Sequence, residues 1–594
     1  MESLTRVDGS RRAILALIGT AGLIGLCVGA DSPNTSKGQS PFNVQVGRGD
    51  WPQLGGTPHR NNTPDGTNIP TEWDTKTGKN IKWSAKLGSQ TYGNIVVANG
   101  KVYVGTNNTA GYLKRYPSKV DLGVLLCFRE TDGEFLWQHS STKLPTGWVH
   151  DWPFQGICSA PVVEGERLWF VTNQGKVVCL DAEGFRDGEN DGPFTSEKPD
   201  KPDVHWDEQH EADVVWSFDM MKELGVRQHS MATCAPTIWG DVLFVCTSNG
   251  VDENHINIPA PEAPSFMAMD KHTGKVLWTD NSPGKNIMHG QWSCPVVGVF
   301  DGVPQVIFPG GDGWLYGFRT DRWNEGKPEL LWKFDGNPKD SIYRLGGRST
   351  RNGIIAIPVI YDGLVYLAMG EDPERGEGEG HVWCIDPTKR GDVSPELVVD
   401  PDGEIVPHQR LQATAAIGLI QPKAIPNPNS AVVWHYDKHD QNGNGKADFE
   451  ETMHRTLGSP AIKNNILFIA DMCGLVHCLN AKTGKPHWTC DLLSTCWTTP
   501  LIVGESVYVA DEDGDVSIFP LSPDPNKAVQ NAKDKRSGAI HEPLHQINME
   551  NAIYTMPVVA NNVLYIANKN ELFAITVGAS GPRRHGKKAT GETE

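Results

Sequence analysis

The sequence predicts an all-β protein, an eight-bladed β-propeller of four-stranded antiparallel blades. Three observations support this fold: a hairpin motif recurs eight times, a turn with a tryptophan follows most copies, and an N-terminal segment supplies a strand that the last copy lacks. Short strands with alternating apolar residues, separated by turn residues, indicate antiparallel sheet. Because each blade has two apolar faces, a closed ring of blades is the arrangement that buries them all.

Each hairpin consists of aliphatic residues, a tight turn and a second alternating strand, as in APVVEGERLWFVT and MPVVANNVLYIAN. The eight copies begin at Asn94, Ala160, Ala235, Cys294, Ile357, Pro460, Thr499 and Met556. The first copy, NIVVANGKVYVGT, lacks the proline that the others carry near their start. A third strand such as GKVVCLD, GHVWCID or GLVHCLN follows, so each unit supplies at least three strands.

The fourth strand of most units ends in a tryptophan after a polar turn, as in DKHTGKVLW and NAKTGKPHW. The Thr-Gly pair suits a tight turn, because glycine adopts positive φ at little cost. Tryptophans at this place are Trp137, Trp216, Trp278, Trp332, Trp434 and Trp488. We expect these rings to pack between neighbouring blades, with each indole N–H near a carbonyl.

Closure of the ring is predicted from the two ends of the repeat region. The eighth unit stops after NELFAIT without a fourth strand, whereas DTKTGKNIKW, ending at Trp83, has no hairpin before it. We therefore predict that this early segment completes the last blade. In the seventh unit a polar stretch follows VSIFPL, and HQINM is the candidate fourth strand. We place the propeller at residues 31–577 and predict a disordered tail over 578–594.

Charge and targeting signals limit the classes of partner and the location. The 594 residues carry a formal net charge of −18, which disfavours nucleic acid, because binding a phosphate backbone requires a basic surface. Residues 1–30 predict a signal peptide: two arginines precede an apolar stretch that ends in VGA. A retained anchoring helix is the alternative, and SRRAIL approaches a twin-arginine signal. We expect an exported protein, periplasmic or extracellular, without a transmembrane span after signal cleavage.

The cysteines predict buried thiols rather than a disulfide framework. Of the 12 cysteines, removal of Cys27 with the signal leaves an odd number, so at least one thiol stays free. Several recur at equivalent places of the repeat, in LLCF, VVCLD, VWCID and VHCLN. A residue that recurs in this way is expected to fill a small apolar space.

The TGKxxW turns, the APVV…VYV hairpins and the GxVxCLD third strands, repeated eight times, resemble the pyrroloquinoline-quinone (PQQ)-like β-propellers. That family includes quinoprotein alcohol dehydrogenases and the propeller lipoprotein of the bacterial outer-membrane barrel assembly machine. The resemblance covers nearly the whole mature chain. It implies the fold strongly and the activity weakly, because the repeated residues build blades rather than chemistry.

The resemblance also implies what a dehydrogenase of this family would contain: two adjacent cysteines, a calcium ion at the quinone and an aspartate base. The sequence has no Cys-Cys pair and no C-x-x-C-H for haem attachment. We therefore expect a binding or scaffold module whose partner is another cell-envelope protein or an extracellular ligand. A PQQ-dependent dehydrogenase of alcohols or sugars is the alternative.

DQNGNGKADFEE, residues 440–451, has the spacing of an EF-hand-type calcium loop. The predicted ligands are Asp440, Asn442, Asn444, the Lys446 carbonyl, Asp448 and Glu451, with Gly445 at the sharp turn. A strand precedes the loop and only a turn or two of helix can follow it. We therefore predict a calcium loop inserted over residues 437–455, between blades five and six, that stabilises a long connection. A solvated acidic turn is the alternative.

Propellers bind ligands at one mouth of the central channel, on loops that lead into the innermost strands. Here those loops carry arginine, histidine, amide and aromatic side chains, which suit a planar anion, a peptide or a sugar. The alternative is that these polar residues line a wet channel. The candidates are Trp152, Gln155, Arg227, His229, His289, Gln291, Trp292, Arg348, Arg351, Asn352, Arg455, Trp497 and Tyr554.

Overall fold

The protein is described by a computed structural model that covers residues 49–199, 205–343, 350–370, 378–406, 422–533 and 540–581. Within these ranges eight antiparallel sheets form the blades of a propeller, and two further two-stranded sheets lie in the connections. The predicted eight-bladed fold is confirmed. The predicted signal peptide, residues 1–30, lies outside the described residues.

The blades follow one another along the chain. Strand β1 (Lys79–Lys86) belongs to the last blade. Blade one contains β2 (Val96–Ala98), β3 (Lys101–Asn107), β4 (Leu122–Arg129) and β5 (Phe135–Thr142). Blade two contains β6 (Val162–Glu164), β7 (Arg167–Val171), β8 (Lys176–Asp181) and β9 (Val214–Asp219). Blade three contains β10 (Thr237–Trp239), β11 (Val242–Cys246), β12 (Phe266–Asp270) and β13 (Val276–Asp280).

Of the two middle blades, blade five carries a long insertion. Blade four contains β14 (Val296–Phe300), β15 (Val303–Pro309), β16 (Trp314–Asn324) and β17 (Lys327–Asp335). Blade five begins with β18 (Val359–Tyr361), β19 (Leu364–Met369) and β20 (His381–Ile385). After β21 (Gly391–Asp392) and the pair β22 (Glu396–Val399) and β23 (Lys423–Pro426), it is completed by β24 (Val432–Tyr436).

Three blades complete the ring. Blade six contains β25 (Ala461–Lys463), β26 (Ile466–Ala470), β27 (Leu475–Asn480) and β28 (Pro486–Asp491). Blade seven contains β29 (Leu501–Val503), β30 (Ser506–Ala510) and β31 (Asp515–Pro520), then the pair β32 (Val529–Lys533) and β33 (Ile540–Pro543), then β34 (His545–Asn548) as its outer strand. Blade eight contains β35 (Val558–Ala560), β36 (Val563–Ala567), β37 (Glu571–Ser580) and β1. The described helices are short: α1 (Met220–Glu223), α2 (Pro525–Ala528), and 3-10 turns at Asn108–Ala110, Gly147–Val149, Gly184–Asp187, Glu208–His210, Gly284–Asn286 and Phe449–Glu451.

The N-terminal strand closes the ring as predicted. β1 pairs with β37 in antiparallel register, so that Trp83 lies opposite Ala574 and Lys86 opposite Glu571. The candidate HQINM also forms the outer strand of blade seven, β34, which pairs with β31. Both blades are therefore completed by a strand that is separated from its hairpin along the chain.

The recurring tryptophans link successive blades. Five of them donate their indole N–H to a backbone carbonyl of the following blade: Trp83 to Glu130, Trp137 to Ala182, Trp216 to Lys271, Trp434 to Ala481 and Trp488 to Ser522, at 2.8–3.1 Å. Trp332 instead donates to the Gln305 side chain of its own blade at 2.7 Å. The predicted bond between blades is thus confirmed for these five, whereas the buried indole N–H of Trp278 has no hydrogen-bond partner among the described residues.

Two details depart from the predicted blades. Blade four has a fifth strand, because β21 pairs in parallel with β17. β21 belongs to the long insertion between β20 and β24 of blade five, which therefore adds a strand to the edge of the preceding blade. β37 continues to Ser580, past residue 577, where we placed the end of the propeller, and residues 582–594 lie outside the described part.

All eleven cysteines of the described residues are free thiols, and all except Cys473 are buried.

Residues 51–62, which we call the plug, cross the centre of the ring ahead of β1. Backbone carbonyls of the plug accept hydrogen bonds from the innermost-strand amides of Val163, Val297, Ile360 and Ile502. Trp51 forms a bridge with Val97, and the Asn61 side chain bonds both backbone groups of Ile462. The side chains of Arg60 and Asn62 reach the carbonyls of Pro236 and Pro557. The plug therefore contacts all eight blades at, or one residue before, their innermost strands.

Candidate functional site

A cavity of about 400 Å³ lies in the central channel, with Leu54 of the plug in its wall. Its other walls come from the residues that lead into the innermost strands of all eight blades, including Asn94, Cys158, Thr233, Cys294, Ile357, Ser459, Thr499 and Met556. Because the plug occupies the channel, the cavity has a closed end. None of the described residues that line it is lysine, arginine, aspartate or glutamate.

One side of the cavity is an aromatic cluster of Tyr92, Trp497 and Tyr554. The rings of Tyr92 and Tyr554 stack at 4.7 Å with an interplanar angle of 19°, and the Trp497 ring stands edge-on to Tyr554 at 5.4 Å. The Glu512 carboxylate accepts hydrogen bonds from the Tyr554 hydroxyl and the Trp497 indole, both at 3.1 Å. Burial raises the pKa of Tyr92 to about 12, so its phenol is neutral at physiological pH. The cluster thus presents apolar ring surface.

The opposite side carries Trp152, Met231, His289 and Trp292. The Trp292 indole donates to the His229 carbonyl at 3.1 Å, and its ring lies 4.8 Å from the His289 ring. The backbone N–H of Trp152 donates to the Ser230 carbonyl at 2.7 Å. Hydrogen bonds to backbone carbonyls therefore fix the Trp292 ring and the Trp152 backbone on this wall.

The sequence-predicted channel residues differ in where the structure places them. Six of them line the cavity: Trp152, Gln155, His289, Trp292, Trp497 and Tyr554. His229 lies beside the cavity and contacts His289 and Trp292. Arg348 lies outside the described residues.

The remaining candidates are not among the described lining residues. The buried Gln291 amide donates to the Asn249 carbonyl at 2.8 Å and to the Ser265 hydroxyl at 3.0 Å. The Asn352 backbone donates to Asn337 at 2.7 Å. Arg227 donates to the Val226 carbonyl at 2.9 Å, and the backbone of Arg455 bonds Gly378 and Met472. The contacts of Gln291, Asn352 and Arg455 therefore join separate segments, whereas that of Arg227 stays within its own loop.

Arg351 shows why a charged residue on a channel loop need not face a ligand. It is buried, and its guanidinium bonds the Asp335 carboxylate at 2.8 Å. Lys339 contacts the same carboxylate at 2.6 Å. Burial raises the pKa of Asp335, but Arg351 and Lys339 outweigh that effect and hold the pKa below its ordinary value. The two cations therefore neutralise a buried acid.

Sequence reasoning missed several residues of the site. Tyr92 precedes the innermost strand of blade one, the place from which the other candidates were chosen, so its position was a usable signal. Leu54 belongs to the plug, which has no repeat pattern. His255 lies on a loop between the second and third strands of blade three and contacts His229, and no motif marks it.

The loop at residues 440–451 gathers its oxygen-bearing side chains. The amides of Asn442 and Asn444 donate to one Asp448 carboxylate oxygen at 3.0 and 2.8 Å, and Gly445 takes φ +91° at the turn. The buried Glu451 carboxylate accepts from the backbone of Gln441, Asn442 and Asp448.

This arrangement suits a hard cation in part. The donor set is oxygen, as calcium prefers, and the backbone already turns around it. The Lys446 side chain, however, lies 2.6 Å from Asp448, and Asp440 accepts from the backbone of Asn444 and Gly445. A bound ion would replace these internal contacts.

Comparison with known proteins gives a partial sequence match and a broad structural one. Residues 418–523 match the family model described as "Outer membrane protein assembly factor BamB". The matched region runs from the end of the blade-five insertion through blade six to β31 of blade seven. No curated protein matches the chain.

Solved structures with similar topology have low identity to this chain. BamB from Moraxella catarrhalis is 14% identical, with 83% of this chain and 96% of that chain covered and a TM-score of 0.43. The computationally designed Ika8 protein is 11% identical, with coverages of 84% and 100% and a TM-score of 0.44. Quinohemoprotein alcohol dehydrogenase from Comamonas testosteroni is 11% identical, with coverages of 92% and 83% and a TM-score of 0.41.

The described lining of the cavity offers no cationic partner for PQQ, the cofactor of the dehydrogenase alternative. PQQ is a tricarboxylate, and buried carboxylates need cationic partners or many hydrogen-bond donors. The described lining residues provide aromatic, aliphatic, hydroxyl, amide and thiol groups and one histidine, but no arginine or lysine. The described cavity therefore favours an uncharged, apolar group.

Among the described residues, no helix has the length and hydropathy needed to cross a bilayer.

Proposed function

We propose that the protein is an exported binding module of the cell envelope, and that its channel cavity holds an apolar or aromatic group. That group is the ring of a small ligand or a side chain of a partner protein. The observation that carries this proposal is the closed-ended cavity of about 400 Å³ whose described lining contains aromatic and aliphatic side chains and no ionised carboxylate, ammonium or guanidinium.

The physical gain comes from burial of apolar surface. Transfer of one large apolar side chain from water into such a cavity is worth about 1.5–3 kcal/mol. Offset or edge-on contacts with Tyr92, Trp292 or Trp497 add roughly 0.5–1.5 kcal/mol for an aromatic group. Together these two contributions suit an apolar group that anchors a larger ligand or partner protein in the cavity.

We also expect the cavity to be preorganised. Its walls precede strands that the plug holds by backbone hydrogen bonds, so little ordering is needed on binding. Preorganisation of this kind supports a binding or scaffold role.

The test uses N-phenyl-1-naphthylamine, a neutral aromatic probe whose fluorescence rises in apolar surroundings. Leu457 lines the cavity, and Leu457→Trp should fill part of it and weaken probe binding at least tenfold. The matched control is Leu493→Trp, since Leu493 is 82% exposed and is not among the lining residues. Equal probe affinity in both variants would place the probe elsewhere and refute the cavity as the binding site.

The dehydrogenase alternative is tested on the same purified protein. With PQQ and calcium added, we expect neither a bound quinone absorbance nor dye reduction with alcohols or sugars, because the described lining offers no cation for the cofactor carboxylates. A stoichiometric quinone spectrum with dye reduction would support the enzyme instead.

We further propose that residues 440–451 bind calcium as a structural ion. The loop joins β24 to blade six. Its exit is bonded to both blades, since Gly380 donates to the Met453 carbonyl and His454 donates to Asp471. An ion that fixes this loop would therefore stabilise the junction between two blades.

A further inference from the structure

Three loops bring three imidazole nitrogens together beside the cavity. His229 lies on the loop that enters blade three, His255 on the loop between β11 and β12, and His289 on the loop that enters blade four. Their Nε2 atoms are 2.9 Å (His229–His289), 3.0 Å (His229–His255) and 3.2 Å (His255–His289) apart. His229 and His289 are buried, and His255 is half-buried.

The tautomer of His229 follows from its other ring nitrogen. Nδ1 of His229 lies 3.0 Å from the Val251 carbonyl, and a carbonyl oxygen only accepts hydrogen bonds. Nδ1 therefore carries the hydrogen, and Nε2 of the neutral ring presents a lone pair to the other two histidines. A histidine that binds a metal ion through one ring nitrogen is also commonly oriented by a hydrogen bond from its other ring nitrogen to a backbone carbonyl.

Hydrogen bonding alone does not satisfy this triangle. Each N···N contact needs a hydrogen on one nitrogen and a lone pair on the other. If His255 and His289 both donate to Nε2 of His229, their own two N–H groups face each other at 3.2 Å. A cation shared by three lone pairs satisfies all three nitrogens at once.

The backbone is shaped to hold this convergence. His255 has φ +56°, a left-handed conformation that is uncommon for residues other than glycine and is concentrated at functional sites. The turn that contains it is closed by the Asp252 carboxylate, which accepts the backbone N–H groups of Ile256 and Asn257. A Cβ atom at Gly250 would lie 2.6 Å from the Cβ of His229 and 2.7 Å from the His289 carbonyl. Glycine at 250 thus lets the loops approach closely.

We propose that His229, His255 and His289 bind one divalent transition-metal ion. Neutral imidazole suits zinc, copper, nickel and cobalt, whereas calcium and magnesium prefer oxygen ligands. An ion about 2.0–2.1 Å from each nitrogen fits above a triangle with edges of 2.9–3.2 Å. Three protein ligands leave at least one coordination position open for water or an external Lewis base.

The site adjoins the proposed binding cavity but does not depend on it. His289 is the member of the set that lines the cavity, so the ion would lie at the cavity wall. This second function goes beyond the binding of an apolar group: it would let the same mouth hold a ligand with a carboxylate, imidazole or similar donor.

The experiment titrates untagged protein, saturated with calcium, with Co²⁺ followed by absorption and with Zn²⁺ followed by calorimetry. We expect one ion per chain and a ligand-field spectrum in the wild type. His255→Asn removes the imidazole while asparagine tolerates the left-handed backbone, and it should lower the affinity about 100-fold. His289→Gln should do the same. His272→Asn, at an exposed histidine on the turn after β12, should bind as the wild type does.

Three results would overturn the proposal. One is the absence of Co²⁺ and Zn²⁺ binding. Another is binding that His255→Asn and His289→Gln leave unchanged, which would place the ion at another group such as His381, His435 and Asp437. The last is equal loss in His272→Asn. Probe binding by His255→Asn is measured in parallel, so that loss of metal with retained probe affinity separates this site from the proposed cavity function.

Discussion

A buried carboxylate, Asp471, organises the loop that enters blade six. It accepts hydrogen bonds from Nδ1 of His454 and Nε2 of His477, each at 3.1 Å, and from the backbone N–H groups of Cys473 and Leu475. Burial by itself raises the pKa of Asp471, yet the two histidine hydrogen bonds outweigh burial and bring that pKa down to about 2. The folded state therefore favours the charged carboxylate.

We predict that Asp471→Asn lowers the free energy of unfolding by about 3–5 kcal/mol at pH 7, because it leaves buried donors without their charged acceptor. The folded pKa of about 2 lies below the unfolded value of about 3.9. The charge therefore contributes about 2–3 kcal/mol of stability above pH ~4, and this is lost as the pH falls towards 2. Urea unfolding at several pH values measures the difference between wild type and variant, which should shrink on acidification.

Asp402→Asn serves as the control for this prediction, since Asp402 is exposed and should show little effect at any pH. A difference for Asp471→Asn that stays constant from pH 7 to pH 3 would contradict the assignment of the low pKa to this residue. The comparison isolates one group from the other buried acids, whose contributions are the same in both proteins.

Among the elements, we expect the loop at residues 440–451 to depend on added calcium for its stability. We predict that a calcium chelator lowers the melting temperature of the wild type, because an ion bound only to the folded loop stabilises it by mass action, by about 2.7 kcal/mol at 100 times Kd. Glu451→Gln should abolish that response, since Glu451 is the bidentate position of the motif. Thermal unfolding with calcium and with chelator measures both.

Glu450→Gln is the matched control, because the neighbouring position supplies no ligand in the motif and should keep the calcium response. Equal calcium dependence in Glu450→Gln and Glu451→Gln, or none in the wild type, would refute the structural ion. Magnesium at the same concentration should substitute poorly, because it demands a smaller octahedral site.

The turn and the tryptophan of the TGKxxW motif illustrate how much of the elements the sequence predicts. Both were recognised, and the tryptophan was expected between neighbouring blades, but its contact with the turn glycine was not predicted. The structure shows that the turn glycine of one blade packs on the tryptophan of the blade before it: a Cβ at Gly484 would lie 2.5 Å from the Trp434 ring, and one at Gly274 would lie 2.7 Å from the Trp216 ring. A repeat pattern predicts which residues recur, but it does not tell which copy each residue contacts.

At the scale of the whole molecule, ring closure was predictable and the plug was not. β1 carries the repeat pattern of a fourth strand, so its missing hairpin pointed to a distant partner. The plug has no apolar periodicity, and, apart from those of the buried Trp51 and Leu54, its contacts with the blades described above are backbone and polar ones, such as the Asn62 amide to Pro557, 495 residues away. His229 and His289 were among the predicted channel residues, but their convergence with His255 was missed, since the three histidines lie on three separate loops.

Arg60 offers a test of whether the plug or the blades hold the channel closed. It is 2% exposed, and its guanidinium donates to the carbonyls of Leu54 and Pro236, both at 2.8 Å, and of Ala235 at 3.0 Å. Arg60→Met keeps much of the volume but leaves these carbonyls unpaired, at a cost of about 1–3 kcal/mol each. We predict that the plug opens locally while the blades stay folded.

Hydrogen exchange resolves that prediction amide by amide. In Arg60→Met, the amides that bond to plug carbonyls, those of Val163, Val297, Ile360 and Ile502, should exchange about 100-fold faster, as expected for loss of roughly 3 kcal/mol of local stability. Amides inside β4 should keep their protection, and Arg322→Met, at an exposed arginine, should change neither set. If protection instead falls equally in every blade, then the plug and the ring unfold as one cooperative unit, and the channel is closed by the whole propeller rather than by its N-terminal segment.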